Sequence, residues 1–126
     1  MRNSLDTVLL DSKIFVDANI FLYAILGHPS LKPGCQKFLV NIENGLYRAT
    51  TSSLVWKNYS ELRKYPITIF SIDEEALNTA VLLSRKHGLL ISDAVHAAIM
   101  KLNTITNIAT NDSDFERIEG ISVWKP

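Results

Sequence analysis

Lys-Ile-Phe-Val-Asp, residues 13–17, contains a short apolar run that ends on an acidic residue. A continuous apolar run of this length is typical of a parallel strand that is buried on both faces. The apolar residues 20–26 follow closely and are numerous enough to form a buried helix. Asp17 therefore lies where the sequence predicts that a strand ends and a helix begins.

Strand and helix patterns alternate along the rest of the chain. A repeated strand, helix, strand order gives parallel strand pairs with right-handed crossovers. We therefore predict an α/β sandwich around a parallel sheet of about five strands. The further strands are predicted at 46–50, 67–72, 105–109 and 121–124, and the helices at 33–44, from Ser52 or Ser53 toward Pro66, at 73–88, at 93–102 and, as a short turn, at 113–118.

Length and composition are those of one soluble domain. The chain has 126 residues, 47% of them hydrophobic, which is enough for one core. Residues 1–11 can form a loose N-terminal tail. A single cysteine, Cys35, excludes an internal disulfide framework and a zinc site built from several cysteines. No apolar run reaches the roughly 20 residues of a membrane span and the N-terminus lacks a signal-peptide pattern, so we expect a cytoplasmic protein with no membrane partner.

The charges of the chain balance. Thirteen basic and thirteen acidic residues leave a formal net charge of +0. This balance argues against a protein held to nucleic acid by bulk charge, although it does not exclude an enzyme that acts on nucleic acid. If several acids surround a cation, the remaining surface is more basic than the total indicates.

Four acidic residues stand at predicted strand or helix ends, namely Asp17, Asp93, Asp112 and Asp114. Sites in parallel sheets form beyond the carboxyl ends of the strands, so these distant carboxylates are predicted to share one pocket. Each has a structural alternative, because Asp93 can complement the dipole of its helix and the other acids can cap turns. A cluster of carboxylates is an oxygen-rich site that suits Mg²⁺ or Mn²⁺. Such ions most often act on phosphates, and the chain has no Gly-rich phosphate loop, so a metal-dependent phosphodiesterase is favoured.

Three segments resemble the signature stretches of PIN-domain proteins, and in particular of the VapC-type toxin ribonucleases. They are residues 14–19 (Ile-Phe-Val-Asp-Ala-Asn), 92–98 (Ser-Asp-Ala-Val-His-Ala-Ala) and 110–115 (Thr-Asn-Asp-Ser-Asp-Phe). Their order along the chain makes the resemblance specific, and it extends from about residue 13 to residue 124. The resemblance implies a three-layer α/β/α sandwich and an endoribonuclease that depends on Mg²⁺ or Mn²⁺.

The resemblance also implies roles for single residues. Asp17, Asp93 and Asp112 match the catalytic, metal-binding acids of the family, and Asp114 matches a further acid of the metal site. Asn19 and Thr110 match supporting polar positions, whereas the matching His96 is expected to orient its helix and to pack. A metal-activated water would then cleave the RNA phosphodiester bond and leave 5′-phosphate and 3′-hydroxyl ends.

Two departures from the family pattern bear on activity. Asn58 stands where the family usually carries a Glu in a supporting or metal-binding position, and an amide oxygen brings no negative charge to a cation. Glu61 lies three residues further on, on nearly the same helix face, and is a candidate metal ligand in its place. In addition, only a few residues separate Leu62 from Ile67, where toxin-type members have additional helical structure.

Three interpretations stay open. The resemblance favours the toxin of a toxin-antitoxin pair, with RNA as substrate, a small antitoxin protein as partner and a homodimer as the assembly. The alternative is a catalytically weakened PIN domain that acts as an RNA- or protein-binding module. The segment Asp17-Ala18-Asn19 also resembles the nucleophile motif of haloacid dehalogenase phosphatases, but that motif needs a second Asp where Asn19 stands.

Overall fold

The computed structural model describes residues 2–56 and 65–126, and six parallel strands form its single sheet. The strands are β1 (Arg2–Ser4), β2 (Lys13–Val16), β3 (Arg48–Ser52), β4 (Thr68–Phe70), β5 (Asn107–Ala109) and β6 (Ser122–Lys125), in the spatial order β1-β6-β5-β2-β3-β4. The helices are α1 (Ala18–Ile25), α2 (Lys32–Glu43), α3 (Ser53–Trp56), α4 (Glu74–His87) and α5 (Ile91–Leu102). Two short 3₁₀ helices cover Leu5–Thr7 and Ser113–Arg117.

Strand β2 lies inside the sheet, between β3 and β5. Phe15 is in register with Thr50 of β3 on one side and with Ile108 of β5 on the other. Ile14, Phe15 and Val16 are fully buried. The apolar run therefore forms the buried parallel strand that the sequence predicts.

The side chains of β2 alternate between two cores, one on each face of the sheet. Ile14 and Val16 pack into a cluster with residues of α1 and α2, such as Phe21 and Phe38. Phe15 packs on the other face into a cluster built mainly from α4 and α5. Successive residues of a strand point to opposite faces, so helices cover both. The predicted three-layer α/β/α sandwich is confirmed.

Strand β3 is polar and yet buried. Its last three residues, Thr50, Thr51 and Ser52, are at most 8% exposed. The Thr51 hydroxyl donates a hydrogen bond to the carbonyl of Val16 over 3.0 Å, and Thr50 donates to the carbonyl of Ile14 over 3.4 Å. These bonds satisfy buried hydroxyls and join the carboxyl ends of β2 and β3.

The ends of α4 follow the predicted signals. Asp73 caps its first turn, where the carboxylate accepts a hydrogen bond from the Ala76 amide over 2.8 Å. Gly88 closes the helix with φ +65°, a left-handed conformation that favours glycine. Over the described parts of the chain, no helix has the length and apolar character that a membrane crossing requires.

The N-terminal segment differs from its prediction. Residues 1–11 were expected to form a loose tail, but Arg2–Ser4 form β1, which pairs with β6 and raises the strand number from five to six. Leu5 and Val8, 4% and 6% exposed, fill the core beside α2. The physical reason is that β1 satisfies the outer edge of β6, a tertiary contact that a polar three-residue segment does not signal by its periodicity.

The burial of this segment has a measurable consequence. We expect Leu5→Ala to lower the free energy of unfolding by about 2–4 kcal/mol, since it removes buried methyl groups from the core. Leu9→Ala is the matched control, because Leu9 is 74% exposed and its truncation should change stability by less than about 0.5 kcal/mol. Urea unfolding measures both, and equal small effects would show that the segment does not contribute to the core.

Candidate metal centre

The four predicted acids lie at element ends on the carboxyl side of the sheet. Asp17 follows β2 and is the N-cap of α1, and Asp112 follows β5 and is the N-cap of a 3₁₀ helix that contains Asp114. Asp93 lies in the first turn of α5. One carboxylate oxygen each of Asp93, Asp112 and Asp114 lies within 4.8 Å of the others. Three of the four acids therefore form one acidic cluster, and Asp17 lies beside it.

Capping explains some of these acids and not others. Asp17 Oδ1 accepts a hydrogen bond from the Ala18 amide over 2.7 Å, and Asp112 Oδ1 accepts one from the Asp114 amide over 2.9 Å. In contrast, α5 has Leu90 at its N-cap and no side-chain capping bond. Asp93 is therefore held beside the other acids without a local hydrogen bond that fixes the helix end.

Thr110 joins Asp17 to the cluster. Its hydroxyl donates to Asp17 Oδ2 over 2.8 Å and accepts hydrogen bonds from the Asp112 amide over 3.0 Å and from the Asn19 side-chain amide over 3.1 Å. Asn19 Oδ1 in turn accepts from the Asn111 amide over 3.1 Å. The side chains of Thr110 and Asn19 thus fix the end of β2 against the loop after β5, at the positions where the family resemblance places supporting residues.

The electrostatics of the cluster are unfavourable without a counter-charge. The pKa of Asp93 is raised to about 6, first by burial of the carboxyl and then by the neighbouring carboxylates of Asp112, Asp17 and Asp114. A carboxyl group with this pKa carries a bound proton more readily than an ordinary aspartate. A cation among the same oxygens would offset the repulsion between the carboxylates, and an all-oxygen donor set is the one that Mg²⁺ and Mn²⁺ prefer.

Among the described residues, two basic side chains lie at the edge of the cluster. Arg117 Nη2 pairs with Asp114 Oδ1 over 2.9 Å, and Arg117 Nη1 donates to the Gly88 carbonyl over 3.2 Å. Lys125 Nζ donates to the Asn111 carbonyl and to Ser113 Oγ, each over 3.1 Å. Sequence reasoning missed both contacts. The spacing of three residues between Asp114 and Arg117 is a signal that could have found the first, whereas the second exists only because β6 lies beside β5.

His96 is buried directly behind Asp17. It is 4% exposed, its Nε2 lies 3.5 Å from Asp17 Oδ1, and its Nδ1 lies 3.4 Å from Ser52 Oγ. The ring also contacts Phe15, with centroids 5.0 Å apart. Burial lowers the pKa of His96, and the Asp17 carboxylate acts in the opposite direction. The packing expected of this residue therefore comes with polar contacts to the ends of two strands.

The remaining predicted site residues, Asn58 and Glu61, lie outside the described residues. The prediction that one of them supplies a further ligand stays a prediction.

Comparisons with known proteins agree with this geometry. The sequence model of the PIN domain family matches residues 57–121, just over half of the chain. Ribonuclease VapC6 of Methanocaldococcus jannaschii is 36% identical over 59 residues, which are 47% of this chain and 39% of the relative. The chain thus matches about two fifths of the length of that curated relative.

Solved structures share the fold at low sequence identity. A chain of a toxin-antitoxin complex from Klebsiella pneumoniae superposes with a TM-score of 0.65 at 19% identity, over 86% of this chain and 94% of that one. A chain of VapBC2 from Rickettsia felis, in a structure bound to a DNA fragment from the promoter, superposes with a TM-score of 0.64 at 17% identity. This superposition covers 90% of this chain and 98% of that one. A chain of FitAcB from Neisseria gonorrhoeae superposes with a TM-score of 0.64 at 16% identity, over 88% of this chain and 96% of that one.

The matched residues 57–121 include Asp93, Asp112 and Asp114, the three acids whose carboxylate oxygens lie together. Asp17 and Asn19 lie outside the matched range and are joined to it by hydrogen bonds to Thr110 and Asn111. The family match and the fold thus agree on the same edge of the sheet. The chain belongs to the PIN domain family.

Proposed function

We propose that this protein is a metal-dependent endoribonuclease of the VapC type. The observation that carries the proposal is the acidic cluster, in which Asp93, Asp112 and Asp114 each bring an oxygen within 4.8 Å of the others. The similarity to ribonuclease VapC6 supports RNA as the substrate. Burial and the neighbouring carboxylates raise the pKa of Asp93 to about 6, a perturbation that supports a functional site rather than a set of solvated surface acids.

The proposed ligands are Asp93, Asp112 and Asp114 with Asp17 beside them, and Glu61 is a further candidate from the sequence. These carboxylates would hold a Mg²⁺ or Mn²⁺ ion, which when bound would lower the pKa of a water and polarise a phosphoryl oxygen. Thr110 orients Asp17 and Asp112 through its hydroxyl, which is fully buried and already donates and accepts hydrogen bonds. It is therefore unsuited to act as a nucleophile, and hydrolysis by water fits the site better than a covalent intermediate.

The partners follow from the similar structures. The K. pneumoniae structure is a toxin-antitoxin complex and the R. felis structure is VapBC2, so we propose a small antitoxin as the protein partner of this chain. A homodimer, a cytoplasmic location and a single PIN-like domain over residues 1–126 belong to the same proposal. Asn58 favours one competing function, a PIN domain of weakened catalysis that binds RNA or a protein.

Cleavage of a mixed, structured RNA tests the proposed activity. We expect cleavage with Mg²⁺ or Mn²⁺, none with EDTA, and a loss of about 100-fold or more in Asp112→Asn, since this substitution removes a charged ligand. The exposed Glu119, outside the cluster, gives the control Glu119→Gln, which should cleave like the wild type. Products with 5′-phosphate ends are expected, whereas 2′,3′-cyclic phosphates would contradict hydrolysis by water. RNA that is bound but stays intact with either ion would favour the binding module.

The raised pKa of Asp93 predicts that replacing this residue by the neutral Asn increases the stability of the ion-free protein in a pH-dependent way. A carboxyl whose pKa is raised on folding destabilises the ion-free protein above its folded pKa of about 6, and this cost disappears as the pH falls below the unfolded value. In EDTA, Asp93→Asn should therefore raise the melting temperature at pH 7.5 and have little effect near pH 4. Solvent screening limits the gain to about 1 kcal/mol, or roughly 4 °C.

With excess Mn²⁺ at pH 7.5 the wild type should melt at a higher temperature than Asp93→Asn. The wild type then gains stability from the bound ion, whereas the variant has lost a ligand. Thermal unfolding under the four conditions measures both effects. Glu119→Gln should show neither. A wild-type protein that melts at the same temperature with Mn²⁺ and with EDTA would contradict the proposed metal site.

A further inference from the structure

Four groups contact the Asp17 carboxylate, and one of them, His96, has no role in the mechanism so far. Oδ2 accepts from the Thr110 hydroxyl and, over 3.5 Å, from the Asn19 side-chain amide, whereas Oδ1 accepts from the Ala18 amide and lies 3.5 Å from His96 Nε2. The residue is 6% exposed. A carboxylate at this depth needs polar partners on most of its lone pairs, and the imidazole is the polar group of α5 that contacts it.

The other ring nitrogen of His96 also faces a polar group. Nδ1 lies 3.4 Å from the hydroxyl of Ser52, the last residue of β3, which is fully buried. A serine hydroxyl can donate to Nδ1 while Nε2–H faces Asp17, so a single tautomer suits both contacts. Ser52, His96 and Asp17 then form a continuous series of polar contacts between the ends of two neighbouring strands.

The position of His96 on α5 gives this chain a consequence for the acidic cluster. Asp93 precedes His96 by three residues and lies on the same side of the helix, one turn closer to its N-terminus. The 3.5 Å contact of His96 Nε2 with Asp17 Oδ1 therefore places the helix face that carries Asp93 against the end of β2. Packing against Phe15 alone would hold the ring in place without setting the orientation of the Asp17 carboxylate.

We propose that His96 is a positioning residue of the metal site, which orients Asp17 through Nε2 and is itself oriented by Ser52 through Nδ1. The inference rests on the proposed function, since it assigns His96 a part in holding the cation. Removing groups that orient metal ligands commonly weakens metal affinity by about 10–100-fold. The effect should depend on the donor at the Nε2 position rather than on the volume of the side chain.

Mn²⁺ titration of the ion-free protein, by calorimetry or by the electron paramagnetic resonance of free Mn²⁺, tests this inference without an activity assay. We expect His96→Met, which keeps an apolar volume and loses both nitrogens, to weaken Mn²⁺ binding about 10-fold or more. His96→Gln, whose amide can donate to Asp17, should recover most of the loss. Ile99→Val is the matched control, because Ile99 is a buried residue one turn further along α5, so this variant loses stability but should keep its Mn²⁺ affinity.

Ser52→Ala tests the second contact. It should weaken Mn²⁺ binding in the wild-type background and have no further effect in His96→Met, since the hydroxyl acts only through the imidazole. Melting temperatures in EDTA are recorded for every variant, and a structural role alone predicts losses of stability with unchanged Mn²⁺ affinity.

The outcomes separate this inference from the function on which it rests. If the wild type binds Mn²⁺, Asp112→Asn does not, and His96→Met binds like the wild type, the inference is wrong and the metal site stands. Failure of His96→Gln to recover affinity where His96→Met has lost it would also overturn the hydrogen-bonding role. If the wild type itself binds no Mn²⁺, the proposed function fails, and the role of His96 fails with it.

Discussion

Mutual repulsion among carboxylates at the carboxyl edge of the sheet is the constraint on which the rest of the site depends. Asp93, Asp112 and Asp114 come together from a helix and a loop that are separated in the chain, and Asp17 adds a fourth charge from the end of β2. Burial of the Asp93 carboxyl, together with this repulsion, raises the pKa of Asp93 to about 6. A fold retains such an arrangement only when surrounding groups hold it in place, which is the usual condition of a functional site.

The groups that hold the acids are mostly neutral. Thr110 contacts Asp17 and the Asp112 amide with a single hydroxyl, and Asn19 reaches across to Asn111. Neutral donors position carboxylates and leave their charge available to a cation. Arg117 is different, because its guanidinium pairs with Asp114 at the outer side of the cluster, where Asp114 is about one third exposed. The contacts of the acids thus change from neutral in the interior to cationic at the outer side.

The rigidity of the site has its origin in the sheet. Ile14, Phe15 and Val16 are anchored in two separate cores, so the chain leaves β2 at a fixed point and Asp17 is fixed with it. The buried hydroxyls of Thr50 and Thr51 tie β3 to the carbonyls of β2. Positions at the carboxyl ends of parallel strands are suited to sites because the strands are rigid while the loops that follow them vary.

The parts of the fold and of the site that are predictable from the sequence are those with a local sequence pattern. The buried strand at residues 13–17 was predictable because a continuous apolar run is a local pattern, and the acids were recognisable because each stands at an element end. Strand β1 was not predictable from the sequence, because its three residues have no apolar pattern and its pairing with β6 is a tertiary contact. The partners Lys125 and Ser52 were equally hidden, because each reaches the site from a strand that is distant in the chain. The resemblance to PIN-domain proteins supplied Thr110 and Asn19, whose neutral side chains carry no signal of their own.

Anomalous diffraction from crystals soaked in Mn²⁺ would locate a divalent cation among Asp93, Asp112 and Asp114. Mn²⁺ has an anomalous signal that Mg²⁺ lacks, so a peak marks the ion itself. We expect a peak between these carboxylates, with Asp17 oriented toward it, and no peak there in crystals of Asp112→Asn. Wild-type crystals that show Mn²⁺ only at other surface acids, with the three carboxylates unchanged, would rule out the proposed metal site.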